Sequence, residues 1–225
     1  MNRMMAVMVL LGLGSADAHA IDWWKWSAGG ALELDARAMQ REDETAAAGL
    51  SETVTAGLGL RGFGGRTLGI MAGVDARFGG GLQGGFAYDG GLLPLGVGLR
   101  LGGFGLLGVL AGVNLSGVTG HVPFAVEYPI EARLELDLGR RVHLSGFGRA
   151  SFITVADARQ NGAEHAPFGD ELRAGVTLRV GRGGQRHQES WGNGIYVGAL
   201  YGESLGTREL GLVIGYGITS TFVGR

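Results

Sequence analysis

The sequence predicts an all-β protein, a single transmembrane antiparallel β-barrel of about ten strands, on three observations. Segments of about ten residues alternate apolar and polar side chains, the repeat of a strand with two different faces. Within each segment the charges keep to one parity and leave the other apolar. Glycine supplies 46 of 225 residues although 45% of the chain is hydrophobic. That mixture fits neither low-complexity disorder nor, with no G-X-Y period, a collagen helix.

Taken from the start, Met1 to Ala20 reads as a signal peptide. Arg3 gives a positive n-region, Met4 to Leu13 an apolar h-region, and Ala18-His19-Ala20 a small-x-small cleavage site. The apolar run is shorter than the roughly 20 residues that span a bilayer. Residues 21–27 then form a periplasmic segment carrying Trp23, Trp24, Lys25 and Trp26. Tryptophan is enriched at membrane interfaces, so the three form an anchor at the rim rather than a ligand-stacking patch. The barrel occupies 28–225.

Its first strand, 28–39, sets Leu32, Leu34, Ala36 and Ala38 against Glu33, Asp35 and Arg37. Strands at 51–63 and 67–78 follow, the second alternating Leu68, Ile70, Ala72, Val74, Ala76 and Phe78 with inward Asp75 and Arg77. The stretch 82–101 is too long for one strand and its parity slips around Asp89–Gly91. It is either a loop plus a strand or two strands of a larger barrel, which leaves eight or twelve strands open. At 106–117, Gly108-x-x-x-Gly112 suggests helix packing, but Leu107, Val109, Ala111, Val113 and Leu115 fall on every second position, a strand period. The clearest segment, 124–138, alternates Val126, Tyr128, Ile130, Ala132, Leu134, Leu136 and Leu138 with Glu127, Glu131, Arg133, Glu135 and Asp137. Strands at 141–156, 170–181, 194–203 and 208–222 complete the count. Tight turns at 64–66, 102–105 and 139–141 alternate with longer connections at 40–50, 79–91 and 157–169, whereas 182–193 is long on the short-turn side.

A soluble sandwich also alternates. Sidedness separates the two, because Arg or Lys facing mid-bilayer lipid costs roughly 2–4 kcal/mol. The apolar parity here is charge-free within each run, with Glu203 and Arg208 at strand ends. Together, segments, sidedness and turn rhythm resemble the broad superfamily of small bacterial outer-membrane β-barrel proteins, from Ser27 to Phe222. The resemblance implies a place in the cell outer membrane, outer-membrane lipid and lipopolysaccharide as surroundings, and the barrel-assembly machinery as a partner. It also implies a last strand closing on an aromatic residue. Phe222 has that parity, and Val223-Gly224-Arg225 follow it.

The inward parity collects the candidate functional residues. Carboxylates Glu33, Asp35, Asp75, Glu127, Glu131, Glu135 and Asp137 share it with Arg37, Arg61, Arg77, Arg100, Arg133, Arg149, Arg173 and Arg179. Opposite charges in a narrow interior pair, since unpaired ones are costly. The lumen is therefore expected to be charged and largely occluded.

Other chemistries find little. There is no cysteine for disulfides or thiolate metal sites, and the histidines lack paired spacing, so neither metal nor cofactor is expected. A formal charge of −2 without basic runs argues against nucleic acid. Gly57-x-Gly59-x-x-Gly62 and Gly103-x-Gly105-x-x-Gly108 match the dinucleotide fingerprint, but outside a strand-to-helix context such matches arise by chance in so glycine-rich a chain. His143 and Ser145 share a strand face, as in outer-membrane lipid A deacylases, but Val142 and Leu144 take the lipid side and turn them inward. His121 and His165, with Glu164 and Asp170, lie in or beside outer loops, as the Asp and His pairs of omptin proteases do. The expected role is structural, narrow-pore or surface-contact. A barrel enzyme acting on lipid or peptide, and a soluble exported β-barrel or sandwich binder, are the alternatives.

Overall fold

The computed structural model describes residues 27–43, 50–81, 84–102, 104–119, 122–139, 141–155, 171–186, 189–204 and 207–223. The signal-peptide residues, Trp23, Trp24 and Trp26, and His121, His165, Glu164 and Asp170 lie outside them. Ten strands follow in chain order: β1 (Ser27–Asp43), β2 (Leu50–Gly65), β3 (Leu68–Gly81), β4 (Phe86–Arg100), β5 (Gly105–Val118), β6 (Val122–Asp137), β7 (Val142–Val155), β8 (Glu171–Arg186), β9 (Glu189–Ser204) and β10 (Thr207–Val223). Each pairs antiparallel with its sequence neighbours, and β1 pairs with β10, so the sheet closes on itself. Closure leaves no free edge and satisfies the backbone within the sheet. At the seam Leu34 lies opposite both Tyr216 of β10 and Leu58 of β2.

The alternation places the side chains as the sequence implies. Outward residues are apolar and exposed, including Ile70 at 74% and Leu212 at 69%, whereas Arg77 and Glu131 are almost fully buried inside. Phe222 sits in the closing strand, its backbone opposite Ala28 and Glu189.

Three expectations change. Of the two readings of 82–101 the loop plus a strand holds, as the connection 82–85 and β4, but the parity slips at Pro94 rather than at Asp89–Gly91. Leu92 faces Val113 across the β4–β5 ladder, yet Leu95 faces Ala111, so β4 holds one extra residue there. A proline has no N–H to give a ladder and sits at such bulges. Leu93 is consequently buried while Leu95 is 72% exposed. The long connection expected at 79–91 shrinks to 82–85, turning through Gly84 and Gly85 at φ of +100° and +90°, where a side chain would be strained. The connection at 182–193 is mostly strand, because β8 and β9 extend to Arg186 and Glu189 and pair there.

The interior also contains apolar packing. Phe63, Met71, Leu93 and Leu110 form one cluster with Leu106 against it, and Tyr196, Leu200 and Val213 form a second with Met39 and Phe147. Glycine makes room for them. The sulfur of Met71 lies over Gly98 and Gly108, Phe147 over Gly175, and the Tyr196 ring over Gly215, each where an added methyl group would collide. The Arg77 stem covers Gly57 in the same way, 2.5 Å from the position a Cβ would take.

Gly57→Val is expected to destabilise the barrel by about 1–3 kcal/mol through overpacking. Gly148→Val, on a position with nothing within 4 Å, should stay within about 0.5 kcal/mol of wild type. Urea unfolding of the two refolded variants checks the contrast.

Candidate functional site

The candidate site is the polar interior, and strand geometry builds it. Residues two apart on a strand share a face, so Glu33, Asp35 and Arg37 of β1 enter the lumen together. Glu33 accepts a hydrogen bond from Arg61 of β2 at 2.7 Å. Asp35 takes a fork from Arg77 of β3, with Nε donating to Oδ1 and Nη2 to Oδ2, each at 3.0 Å. Arg37 donates to the same carboxylate at 3.3 Å, and Arg77 also donates to Asp75 two residues away. Asp35 and Arg77 side chains are both 2% exposed, so each relies on the other in place of water.

On the opposite wall Glu131 of β6 is held from two sides. Arg133 donates Nε and Nη2 to Oε1 at 2.9 and 2.8 Å, and Arg149 of β7 donates Nε and Nη2 to Oε2 at 3.0 and 2.8 Å. The Arg133 guanidinium also lies over the Phe147 ring, 5.2 Å from its centroid, a cation–π contact.

A third group fills the end of the lumen away from the chain termini. Arg173 of β8 lies 2.5 Å from Glu171, 3.5 Å from Asp89 and 3.9 Å from Glu127. Asn114 of β5 donates to Asp89 and Glu127, both at 3.0 Å, and Ser116 donates to Glu127 at 2.5 Å.

Thus Glu33, Asp35, Arg37, Arg61, Asp75, Arg77, Glu127, Glu131, Arg133, Arg149 and Arg173 come together in ion-paired groups. The other four inward candidates do not join them. Arg100 stacks over the Phe63 ring at 5.5 Å, with one terminal nitrogen buried and unpartnered. Arg179 donates to the Thr219 hydroxyl at 3.1 Å. Asp137 ends β6 with its side chain 60% exposed, 2.8 Å from His143 Nδ1. Glu135 makes no ion pair within 4 Å among the described residues, and its charge acts on Arg61 and Arg133 from farther off. Parity turns a residue inward; it does not fix its depth or its partner.

Sequence reasoning missed Asp89, Glu171, Asn114 and Ser116. The bulge at Pro94 hid the parity of Asp89. For the others a signal existed, since Glu171 shares the parity of Arg173, and Asn114 and Ser116 alternate with outward Val113 and Leu115. His143 and Ser145 do face inward, but the histidine is tied to Asp137, and Arg133 donates to Ser145 Oγ at 3.5 Å.

Between the walls remains a cavity of about 50 Å³, lined by Asp35, Asp75, Arg77, Glu131, Arg149 and Leu110 among others. At roughly 10–15 Å³ of such space per water, it holds a few waters. Among the described residues no group of three or more acidic or histidine side chains is arranged to hold a metal ion.

No family model matches the chain, and no curated protein matches its sequence. Solved structures do. A mutant of the TodX monoaromatic hydrocarbon channel is 7% identical over 89% of this chain and 91% of its own, with a TM-score of 0.34. The Ralstonia pickettii toluene transporter TbuX is 8% identical over 87% and 90%, at 0.31. The outer membrane protein OprD from Pseudomonas aeruginosa is 7% identical over 90% and 96%, at 0.22. The chain is similar to outer-membrane β-barrels as a broad class, and at these scores the likeness says nothing of what those proteins carry.

Glu131→Ala leaves two buried guanidinium groups without their shared carboxylate and is expected to cost about 3–5 kcal/mol. Asp137→Ala, at an exposed pair, should cost less than about 1 kcal/mol. Denaturant midpoints of the two variants in the same detergent test the ranking.

Proposed function

We propose that this protein is exported by the segment 1–20, inserts in the outer membrane as a ten-stranded barrel, and serves there as a closed-lumen structural or surface-contact protein rather than an open channel. The observation that carries the reading is the inverted partition of side chains. Large apolar residues are exposed on every strand of the ring, including Leu34, Leu58, Ile70, Val97, Val113, Ile130, Phe152, Val176, Val197 and Ile214, while the charges turn inward. A water-soluble monomer rarely exposes an apolar patch larger than a few hundred Å². A bilayer is the solvent that makes such a surface favourable, with lipid and lipopolysaccharide as its contacts.

The ends of the barrel support the same placement. Phe78, Phe86, Tyr88 and Phe124 form a chain of ring contacts at the end opposite the termini, with centroids 6.1, 6.3 and 6.4 Å apart. Aromatic girdles of this kind flank the apolar band of membrane barrels. The connections at 66–67, 101–104, 138–141 and 187–188 are all short; at the other end 82–85, 119–121 and 205–206 are short as well, and 44–49 and 156–170 are longer. The two longest connections thus share one end, the side on which membrane barrels carry their outer loops. Assembly would then engage the barrel-assembly machinery through the closing strand that carries Phe222.

Closure of the lumen rests on the three ion-paired groups and the two apolar clusters. A few waters fit between them, and a hydrated solute does not. An enzymatic role finds no support in His143, whose contact is a half-exposed aspartate at the barrel mouth.

The mature chain is expected in the outer-membrane fraction and should migrate faster in detergent gels before heating than after. A freely soluble mature chain with no heat-dependent shift contradicts the proposal. Ile214→Arg, facing outward near the middle of β10, should cost roughly 2–4 kcal/mol in lipid vesicles, measured by urea unfolding against wild type.

A further inference from the structure

The charge groups of the lumen are not equally balanced. Glu33 faces one arginine, Asp35 and Asp75 face Arg37 and Arg77, and Glu131 faces two arginines. At the end away from Ser27 and Val223, Asp89, Glu127 and Glu171 have Arg173 as their one ion-pair partner within 4 Å among the described residues, while Arg77, Arg149 and Arg37 act on Asp89 from farther off. That group carries two more carboxylates than guanidinium groups. We propose that this acidic cup binds an organic cation bearing ammonium or guanidinium groups. The barrel reading supplies only the side it faces, the cell exterior.

A second observation is that buried acceptors at the cup lack a donor. Asn114 Oδ1 and Ser151 Oγ have no partner, whereas Glu171 is hydrogen-bonded to Glu127 and faces Arg173 Nε, itself without a hydrogen bond. Asn114 and Ser151 are both 0% exposed, and Ser151 stands opposite Glu171 in the β7–β8 ladder. The Asn114 amide nitrogen is already spent on Asp89 and Glu127, which leaves its oxygen as an acceptor. Buried acceptors are normally satisfied, and leaving them empty is costly. Oxygen acceptors around excess negative charge select a positively charged donor.

The spacing chooses the class of cation. Among the described residues no three acidic or histidine side chains are arranged to hold a bare metal ion. Arg173 meets the three carboxylates through three different nitrogens, Nε to Glu171 at 2.5 Å, Nη1 to Asp89 at 3.5 Å and Nη2 to Glu127 at 3.9 Å. A group with several N–H bonds pointing in different directions meets acceptors placed that way. The cup is also graded in depth: Asp89 and Arg173 side chains are 21% exposed, Glu127 and Glu171 2%. A ligand would meet Asp89 first and Glu171 last.

The test is calorimetric titration of the refolded full-length protein with spermidine, with heat-dependent gel migration run on every sample. Wild type should bind saturably, and added salt should weaken binding. Glu171→Gln and Asp89→Asn should each weaken it on the order of tenfold, the loss of one charged hydrogen bond. Glu203→Gln, which removes a carboxylate on the outward parity beside Tyr201, should leave binding unchanged. If Glu171→Gln does not fold, Asp89→Asn carries the comparison. Folded wild type that ignores spermidine, variants that bind it equally well, or equal binding of glutarate would each overturn the site. A wild-type chain without the heat-dependent shift would overturn the barrel reading, and the site with it.

Discussion

The cavity left between the walls of this ring, about 50 Å³, holds a few waters and cannot hydrate each inward charge separately, and that limit governs the rest of the structure. Charges pointing inward pair along a strand, between neighbouring strands or across the lumen. Glu131 shows the result, with each carboxylate oxygen taking two hydrogen bonds from a different arginine. The Asp35 and Arg77 pair repeats it on the facing wall. Removing either member leaves the other buried and unsatisfied, so these pairs hold the strands in one mutual register.

The glycines belong to the same constraint. Several long inward side chains, arginine, methionine and aromatic, lie along the inner wall over residues that lack a side chain. Arg77 over Gly57, Met71 over Gly98 and Gly108, and Tyr196 over Gly215 follow this rule. Large and absent side chains alternate around the ring, which explains how so glycine-rich a chain keeps a packed interior. Strand glycines usually weaken a sheet, and here closure and packing offset that cost.

Much of the fold was legible because the period of a strand and the sign of its two faces are local properties. Ten segments, their order and the outward positions of Ile70, Leu134 and Leu212 follow from sequence alone. Contacts across the lumen are not local, so parity turned Arg100 and Arg179 inward without indicating that one meets Phe63 and the other Thr219. The bulge at Pro94 hid Asp89, since one extra residue puts the positions before it on the opposite parity from those after it. Leu106 and Leu110 carried the inward parity but look unremarkable beside so many charges. Their packing with Phe63 and Met71 makes the interior partly apolar, where sequence reasoning expected charges among glycines.

Whether a lumen filled this way conducts is the deciding property. Single-channel recording of the refolded protein in planar bilayers is the direct test. Wild type is expected to show no sizeable conductance, and measurable openings are expected once Glu131→Ala or Arg77→Ala frees the ion-paired side chains of the lumen. Steady, large conductance from wild type, unchanged in those variants, would contradict a closed lumen.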